Sequence, residues 1–300
     1  MKILLLGKNG QLGRELNPSL EMLGEVVALG RTGKNDYCGD VTDEKAIERT
    51  VRAIAPDIIV NATAFTDVDA AEKDPSQAYA VNARALETLS ELARTLHIHL
   101  IHYSTDYVFD GLSSHPWQEG DPENPLNVYG ASKLLGEQAI VASGCNYSIF
   151  RTSWVYGLYG SNFIKTILKL AMQKKELRIV NDQVGSPTGT DILEHVTTFA
   201  IRELAAERQI NGIYHVAAAG STSWFEYANY IVNKSHSLGL LPNHSPLLLS
   251  GVSSEEYGST VQRPRNSRLS THRIEERLNI RFPDWSSGVD RYLNILSSIR

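Results

Sequence analysis

The sequence predicts an α/β protein built on a doubly wound parallel sheet, with a smaller C-terminal lobe interleaved with that sheet. Short apolar runs alternate with helical patterns through the first half of the chain. The runs at 3–6 (ILLL) and 57–60 (DIIV) are almost continuously apolar, as strands are when helices cover both faces of a sheet. A glycine-rich turn, GKNGQLG, directly follows the first run. Together these features indicate a Rossmann-type fold.

The elements of the first half follow in a βαβαβ order. Apolar spacing separates strands from amphipathic helices. The expected elements are strand 2–6, helix 11–23, strand 26–29, helix 42–54, strand 57–61, one long helix over 76–96 and strand 99–105.

The second half continues this pattern less regularly. Expected strands lie within 147–157, 177–187 and 212–218, and expected helices within 162–175, 191–207 and 223–234. The stretch 242–258 is rich in Ser, Pro and Gly and is expected to be loop-rich. We assign residues 1–150 to a Rossmann domain, to which some later segments return, and 151–300 mostly to a substrate-binding lobe.

Composition excludes several classes of protein. The 300 residues carry a net charge of −5, which disfavours general nucleic-acid binding. The two cysteines, Cys38 and Cys145, indicate a reducing compartment and form no metal-binding pattern. Apolar runs are too short for a signal peptide or a membrane span. We therefore expect a cytoplasmic protein with a small-molecule ligand, no membrane or nucleic-acid partner and no metal.

The glycine turn predicts a dinucleotide site. Gly7, Gly10 and Gly13 lie between the first strand and the first helix, where small residues let the backbone approach a pyrophosphate at the helix N-terminus. Their spacing is G-x-x-G-x-x-G, which differs from the usual G-x-G-x-x-G.

The end of the second strand bears on the choice of cofactor. An acidic residue there usually binds the ribose hydroxyls of NAD, but this chain has Gly30 and Arg31. Arg31 could pair with a 2′-phosphate, so we expect NADPH, with NADH as the alternative. Asp40, further on, either faces the adenine or caps the following helix.

A tyrosine and a lysine lie one helical turn apart in VYGASKLLGEQA. On a helix, Tyr129 and Lys133 share a face. A free tyrosine titrates near pH 10, and the ammonium is expected to lower the pKa of Tyr129 towards a range useful for proton transfer. Lys133 is also expected to hold the nicotinamide ribose.

Two hydroxyls complete the predicted site. Ser104 and Thr105 end the strand in HYSTDYVFDG, and ligands bind at the carboxyl ends of parallel strands. Such a cluster can also satisfy main-chain groups. The glycine turn, these hydroxyls and the Tyr-x-x-x-Lys pair occur together in this order, which favours a catalytic site.

These motifs resemble the extended short-chain dehydrogenase/reductases and, more narrowly, the dTDP-4-dehydrorhamnose reductase family. The resemblance covers nearly the whole chain. It rests on GKNGQLG, DIIVNATAFTDVDAAE, HYSTDYVFDG, NPLNVYGASKLLGE, FRTSWVYG, NDQVGSPT and RPRNSRL.

The resemblance implies reduction of the C4 ketone of dTDP-4-dehydro-L-rhamnose, the last step in making dTDP-L-rhamnose for cell-surface polysaccharide such as O-antigen. The implied catalytic residues are Thr105, Tyr129 and Lys133. Besides Gly7, Gly13, Arg31, Tyr129 and Lys133, the implied cofactor residues are Asn9, Gly10, Gln11, Leu12, Asp40, Val41, Ala64, Phe65 and Thr66. The implied substrate residues, beyond the catalytic ones, are Ser104, Trp154, Arg263 and Arg265.

Other functions remain open at this stage. A nucleotide-sugar dehydratase would carry an Asp-Glu pair after the threonine, whereas Asp106 and Tyr107 follow Thr105 here. An epimerase would hold its NAD tightly. A regulatory subunit resembling that of methionine adenosyltransferase would keep the fold without turnover. The protein is expected to be a monomer or a homodimer.

Overall fold

A six-stranded parallel sheet forms the centre of the computed structural model, which describes residues 1–33, 36–242 and 247–299. The order of its strands is β2-β1-β3-β4-β5-β10. These strands are β1 (Lys2–Leu6), β2 (Glu25–Leu29), β3 (Ile58–Asn61), β4 (His99–Thr105), β5 (Asn146–Thr152) and β10 (Gly212–His215). The remaining strands are short and lie outside this sheet: β6 (Val155–Tyr156), β7 (Glu176–Val180), β8 (Val184–Gly185), β9 (Thr188–Gly189), β11 (Thr222–Ser223) and β12 (Leu248–Val252).

Helices connect these strands. They are α1 (Gln11–Glu21), α2 (Glu44–Ile54), α3 (Val68–Lys73), α4 (Pro75–Tyr79), α5 (Ala85–Thr95), α6 (Val128–Ser143), α7 (Phe163–Gln173), α8 (Thr190–Ala205), α9 (Trp224–Ser237), α10 (Ser254–Tyr257), α11 (His272–Leu278) and α12 (Trp285–Ser298).

Two apolar layers enclose the central sheet. One face of β1, formed by Ile3 and Leu5, packs with α1 and α8, while Leu4 and Leu6 pack with α2 and α5 on the other face. The continuous apolar run of β1 is therefore buried on both sides, as the sequence predicted. The parallel sheet confirms the predicted α/β fold class.

The strand order reverses between β1 and β3. From β1 the chain passes to β2 on one side and then to β3 on the other, which opens a crevice at the carboxyl ends of β1 and β3. Gly7 follows β1 and Ala62 follows β3 at this crevice. The crevice is where a doubly wound sheet binds its ligand.

The predicted long helix over 76–96 is confirmed as a continuous helical run. The run consists of α4, a π-helical turn over Ala80–Arg84 that the sequence did not predict, and α5. A π-turn inside a helix often marks a functional region. This turn contains Asn82, whose side chain reaches both a loop at the crevice and α6.

A third apolar cluster lies beyond the central sheet. It joins α7, α9 and α12 through residues such as Ile167, Ile231 and Leu293. Part of the stretch 242–258 is regular, because β12 pairs in parallel with β7 and the short α10 follows it. Residues 243–246 of that stretch lie outside the described residues. β10 joins the central sheet beside β5, and the two-domain division stays a prediction.

Two buried charges fix α6 against the sheet. Glu137 of α6 accepts hydrogen bonds from Nε and Nη2 of Arg151 on β5, at 2.6–3.1 Å. Arg151 Nη2 also donates to Glu123 at 2.7 Å. Both members of the pair are fully buried, so each charge depends on its partner. The pair therefore sets the position of the helix that carries Tyr129 and Lys133.

Within the described residues no helix is long and apolar enough to cross a membrane.

Substitution of Arg151 tests this anchor. Arg151→Met removes the partner of a buried Glu137, so we expect the free energy of unfolding to fall by about 3–5 kcal/mol. Arg208→Met is the matched control, because Arg208 pairs with Glu203 at the surface. We expect this variant to leave the midpoint of urea unfolding nearly unchanged. Urea unfolding followed by circular dichroism measures both. If both variants lowered the free energy of unfolding by the same small amount, the result would contradict the role of Arg151 in anchoring α6.

Candidate functional site

The glycine turn brings three backbone segments into close contact. Gly7 has φ +86°, and a Cβ on it would lie 2.8 Å from the carbonyl carbon of Ala62. A Cβ on Gly13 would lie 2.1 Å from the Gly7 oxygen. Only glycine fits at both positions, so β1, β3 and α1 meet without intervening side chains. Gly10 precedes α1 and makes no side-chain cap, which leaves the first N–H groups of the helix for a ligand.

A cleft of about 440 Å³ opens beside this turn. Seven of the predicted cofactor residues line it: Gly7, Asn9, Gly10, Arg31, Asp40, Val41 and Ala64. The lining also includes Thr63, Gln77 and Val81, which the sequence reasoning missed because no local motif marks them.

The other predicted cofactor residues lie near the cleft. Gln11, Leu12 and Gly13 form the first turn of α1. Gln11 Nε2 donates to the carbonyl oxygen of Val155 at 3.5 Å, while Leu12 packs into the core. Residues Phe65 and Thr66 follow Ala64 in the loop after β3.

Asn82 holds the loop that contains Phe65. Its Oδ1 accepts from the Phe65 N–H at 2.8 Å, and its Nδ2 donates to the Phe65 carbonyl at 3.0 Å. The same Nδ2 donates to Ser132 Oγ on α6 at 3.0 Å. The π-turn thus links the cofactor cleft to the helix of the Tyr-x-x-x-Lys pair.

Arg31 and Asp40 lie close together at one end of the cleft. Partial burial opposes ionisation of Asp40, but hydrogen bonds from the Thr42 side chain and N–H, together with the Arg31 charge, lower its pKa. Asp40 does not cap α2, because Asp43 performs that role by accepting from the Ala46 N–H. The alternative role of Asp40 as a helix cap is therefore wrong.

The three predicted catalytic residues converge at the carboxyl end of β4. Thr105 ends β4, and Tyr129 and Lys133 lie in the first two turns of α6. Thr105 is buried, and its Oγ1 accepts from the Tyr107 N–H at 3.2 Å. Its Oγ1 also donates to Asp106 Oδ1 at 3.1 Å and lies close enough to the Tyr129 hydroxyl to lower the pKa of that phenol. The structure therefore joins the hydroxyl and the phenol as the sequence predicted, while their catalytic roles stay predictions.

The predicted low pKa of Tyr129 is wrong for the cofactor-free protein. Burial raises the pKa of Tyr129 to about 12, the hydrogen bond with Thr105 lowers it, and the Asp106 carboxylate raises it again. Lys133 does not offset this rise, because its Nζ is bound elsewhere. Tyr129 is therefore a protonated phenol at neutral pH.

Lys133 is buried among strand residues. Its Nζ donates to the main-chain carbonyl of Tyr103 at 2.6 Å and lies 2.9 Å from Nε2 of His102. Burial lowers the pKa of Lys133 to about 7, and the Glu137 carboxylate opposes that shift. The lysine therefore changes charge near neutral pH.

Two further groups surround Thr105. Burial raises the pKa of Asp106 to about 7, although hydrogen bonds with Ser267 and Thr105 lower it. Ser104 Oγ is buried and has no hydrogen-bond partner within the part of the chain that the structure describes. Its predicted role in substrate binding is untested.

A second cavity, also of about 440 Å³, lies between the lobe after β5 and α3. Its walls combine aromatic, cationic and hydroxyl groups: Asp69, Phe163, Arg178, Ile179, Val180, Gln183, Trp224, Ser254, Tyr257, Gly258, Ser259, Thr260 and Arg263. Most of these residues were missed by the sequence reasoning, because they are distant in the chain and only the fold brings them together.

Arg263 connects this cavity to Tyr129. Its Nη2 donates to Asp69 Oδ2 at 2.9 Å. Burial raises the pKa of Tyr107, and the nearby Arg263 charge lowers it. The Tyr107 ring packs edge-on against Tyr129, with centroids 5.6 Å apart. Arg265 is exposed and does not line the cavity, so its predicted contact with a diphosphate stays untested.

Trp154 is half-buried and packs against other aromatic groups. Its ring stacks on Trp224 with centroids 3.6 Å apart, and a Cβ on Gly185 would lie 2.5 Å from Trp154 Cε2. Its φ of +48° is strained for a bulky residue. Trp224 lines the cavity and Trp154 does not, so the predicted contact of Trp154 with the sugar stays untested.

The chain matches a protein-family model over nearly its whole length. The model is described as the RmlD substrate binding domain and matches residues 1–298. A dTDP-4-dehydrorhamnose reductase of Escherichia coli K12 is 43% identical over 299 residues, covering 99% of this chain and 98% of that one. The chain belongs to the dTDP-4-dehydrorhamnose reductase family.

Solved structures of this family superpose on the whole molecule. The enzyme of Bacillus anthracis, crystallised with NADP, has a TM-score of 0.86 at 33% identity and covers 97% of this chain and 98% of that chain. A Clostridium acetobutylicum dTDP-4-dehydrorhamnose reductase has a TM-score of 0.87 at 32% identity and covers 99% of each chain. The predicted family and enzyme class are confirmed.

The close contact of Gly185 predicts a spectroscopic change. Gly185→Ala forces the Trp154 indole to move, so we expect loss of the exciton signal that two stacked tryptophans give in circular dichroism. Gly120→Ala is the control, because no atom lies within 4 Å of a Cβ at that position. An unchanged signal in Gly185→Ala would contradict the stacked arrangement.

Proposed function

We propose that the protein reduces the C4 ketone of dTDP-4-dehydro-L-rhamnose to dTDP-L-rhamnose, with NADPH as reductant. The observation that carries this proposal is the contact of Tyr129 with Thr105 at the carboxyl end of β4, in a member of this reductase family. The glycine-lined cleft and the polar-aromatic cavity offer separate places for cofactor and nucleotide sugar.

The cofactor cleft fits a dinucleotide. A side chain at Gly7 or Gly13 would collide with main chain, and α1 begins without a side-chain cap, so a pyrophosphate can approach the backbone. Arg31 would hold the 2′-phosphate, and Asp40 the adenosine. Lys133 would hold the nicotinamide ribose. Bound NADPH supplies the hydride for the ketone carbon.

The chain's own residues handle the proton. When C4 gains a hydride, the carbonyl electron pair moves to the oxygen, which takes the proton of Tyr129. Thr105 is placed to bond the same oxygen and to support the phenolate that remains. A phenol that stays protonated in the free protein suits this direction of reaction. Solvent then returns a proton to Tyr129.

The second cavity would bind the nucleotide part of the substrate. Arg178 and Arg263 supply positive charge for a diphosphate, and Trp224 and Tyr257 supply aromatic surface for a base or deoxy-sugar. The diphosphate would compete with Asp69 for Arg263. Cytoplasmic location and a monomeric or homodimeric state stay predictions.

A reductase assay tests the proposed function. Purified protein is mixed with NADPH and a panel of nucleotide 4-keto sugars, and loss of the nicotinamide absorbance is followed. Turnover fastest with dTDP-4-dehydro-L-rhamnose supports the proposal. Cofactor binding without turnover would instead indicate a regulatory protein on the same fold.

Removal of the Tyr129 hydroxyl tests the proton donor. Tyr129→Phe should lower kcat by about 10²–10⁴-fold, because the oxygen loses its positioned acid, while NADPH affinity stays nearly unchanged. Tyr103→Phe is the matched control, since Tyr103 is a buried tyrosine on β4 whose hydroxyl bonds Thr197 instead. Near-wild-type kcat in Tyr129→Phe would assign the proton to another group.

The choice of cofactor depends on Arg31. Arg31→Ala should weaken NADPH binding by about tenfold or more, because a charge-assisted contact with the 2′-phosphate is lost, and should change NADH binding much less. Arg52→Ala, at an exposed pair with Glu48, is the control. Fluorescence titration with both cofactors measures the ratio. Equal losses for the two cofactors would refute contact with the 2′-phosphate.

A further inference from the structure

A buried histidine contacts the catalytic lysine. His102 lies on β4 and is 1% exposed, as are Lys133 and Asn61. Its Nε2 lies 2.9 Å from Lys133 Nζ, and its Nδ1 lies 3.2 Å from Asn61 Nδ2. The proton transfer described above does not use this imidazole. Its two ring nitrogens each face one fixed partner, so the hydrogen positions can be worked out.

Thr63 fixes the orientation of the Asn61 amide. The Thr63 N–H donates to Asn61 Oδ1 at 3.1 Å, and the Thr63 hydroxyl donates to the same oxygen at 2.6 Å. A main-chain N–H can only donate, so the oxygen of Asn61 must face Thr63. The Nδ2 group therefore faces His102 and, being a donor only, requires a bare Nδ1.

The tautomer of His102 follows from this orientation. A neutral imidazole with a bare Nδ1 carries its hydrogen on Nε2, which faces Lys133 Nζ. An imidazole N–H and an ammonium are both donors and cannot hydrogen-bond each other. We propose that His102 is a positioning residue that donates to Lys133 and holds it as a neutral amine in the cofactor-free protein.

Burial keeps the pKa of His102 well below its usual value, so the ring is neutral and carries one hydrogen. The Glu137 carboxylate, one turn along the same helix, favours the ammonium of Lys133, but Arg151 of β5 pairs with that carboxylate and opposes its effect.

The neutral amine has a consequence for turnover. This step rests on the proposed function, in which Lys133 holds the nicotinamide ribose, and it takes the ammonium as the form that binds the ribose hydroxyls. Free protein with a neutral Lys133 must then gain a proton before it reacts. Activity at low substrate should therefore fall as pH rises through the pKa of Lys133, near 7.

The pH dependence of kcat/KM tests the proposal across about pH 5.5–9.5. His102→Leu removes the donor that favours the neutral amine. The alkaline limb of the profile, where kcat/KM falls, should therefore move to higher pH by about half to one unit, which corresponds to the free energy of one hydrogen bond. A limb that moves down would mean that His102 accepts from an ammonium. An unmoved limb, or a wild-type profile without one, would also overturn the proposal.

The control for this variant lies on the same strand. His99 is buried and its Nε2 lies 2.9 Å from Ser148 Oγ, away from Lys133. His99→Leu should leave the limb in place even if it lowers stability, whereas a general packing defect would affect both variants alike.

A second measurement needs no stable His102 variant and no turnover. In ¹⁵N-histidine NMR spectra of the unmodified protein, the His102 ring is identified by its response to Lys133→Met. We expect the Nε2–H tautomer and a ring that stays neutral at pH 7. An Nδ1–H tautomer or an imidazolium would overturn the proposal. Because this result does not depend on activity, failure of the reductase assay would be distinguishable from failure of this inference.

Discussion

The arrangement of the site depends on two polar side chains that α6 turns into the protein. Lys133 and Glu137, one helical turn apart, are each 1% exposed. Burial of such groups is costly unless partners are in place. Strand β4 supplies partners for the lysine and Arg151 of β5 supplies the partner for the glutamate. These contacts fix the rotation of α6, and the rotation places Tyr129 beside Thr105.

The same burial separates two tasks at the site. It keeps Tyr129 protonated, as a donor to a developing alkoxide requires, and it lowers the pKa of Lys133 towards neutrality. A phenol and an amine therefore change their proton affinities in opposite directions for one physical reason, which is the cost of burying a charge. Binding of cofactor and sugar on either side of this pair would complete its environment.

The fold class and the meeting of Thr105, Tyr129 and Lys133 at one end of β4 could be predicted from the sequence, because both follow from local patterns: apolar strands, the glycine turn and a Tyr-x-x-x-Lys spacing. The pKa of Tyr129 could not, because the expectation assumed that Lys133 faced the phenol. The role of Trp154 also depended on packing, since Gly185 and Trp224 meet it only in the folded chain. The walls of the second cavity are equally non-local.

The fate of the hydride tests the proposed reaction most directly. NADPH carrying deuterium at the transferred position of its nicotinamide is incubated with the protein and dTDP-4-dehydro-L-rhamnose, and the sugar is analysed by NMR and mass spectrometry. A single deuterium at C4 of dTDP-L-rhamnose is the predicted result. Oxidation of the cofactor without label at C4, or label elsewhere on the ring, would contradict the proposed reduction.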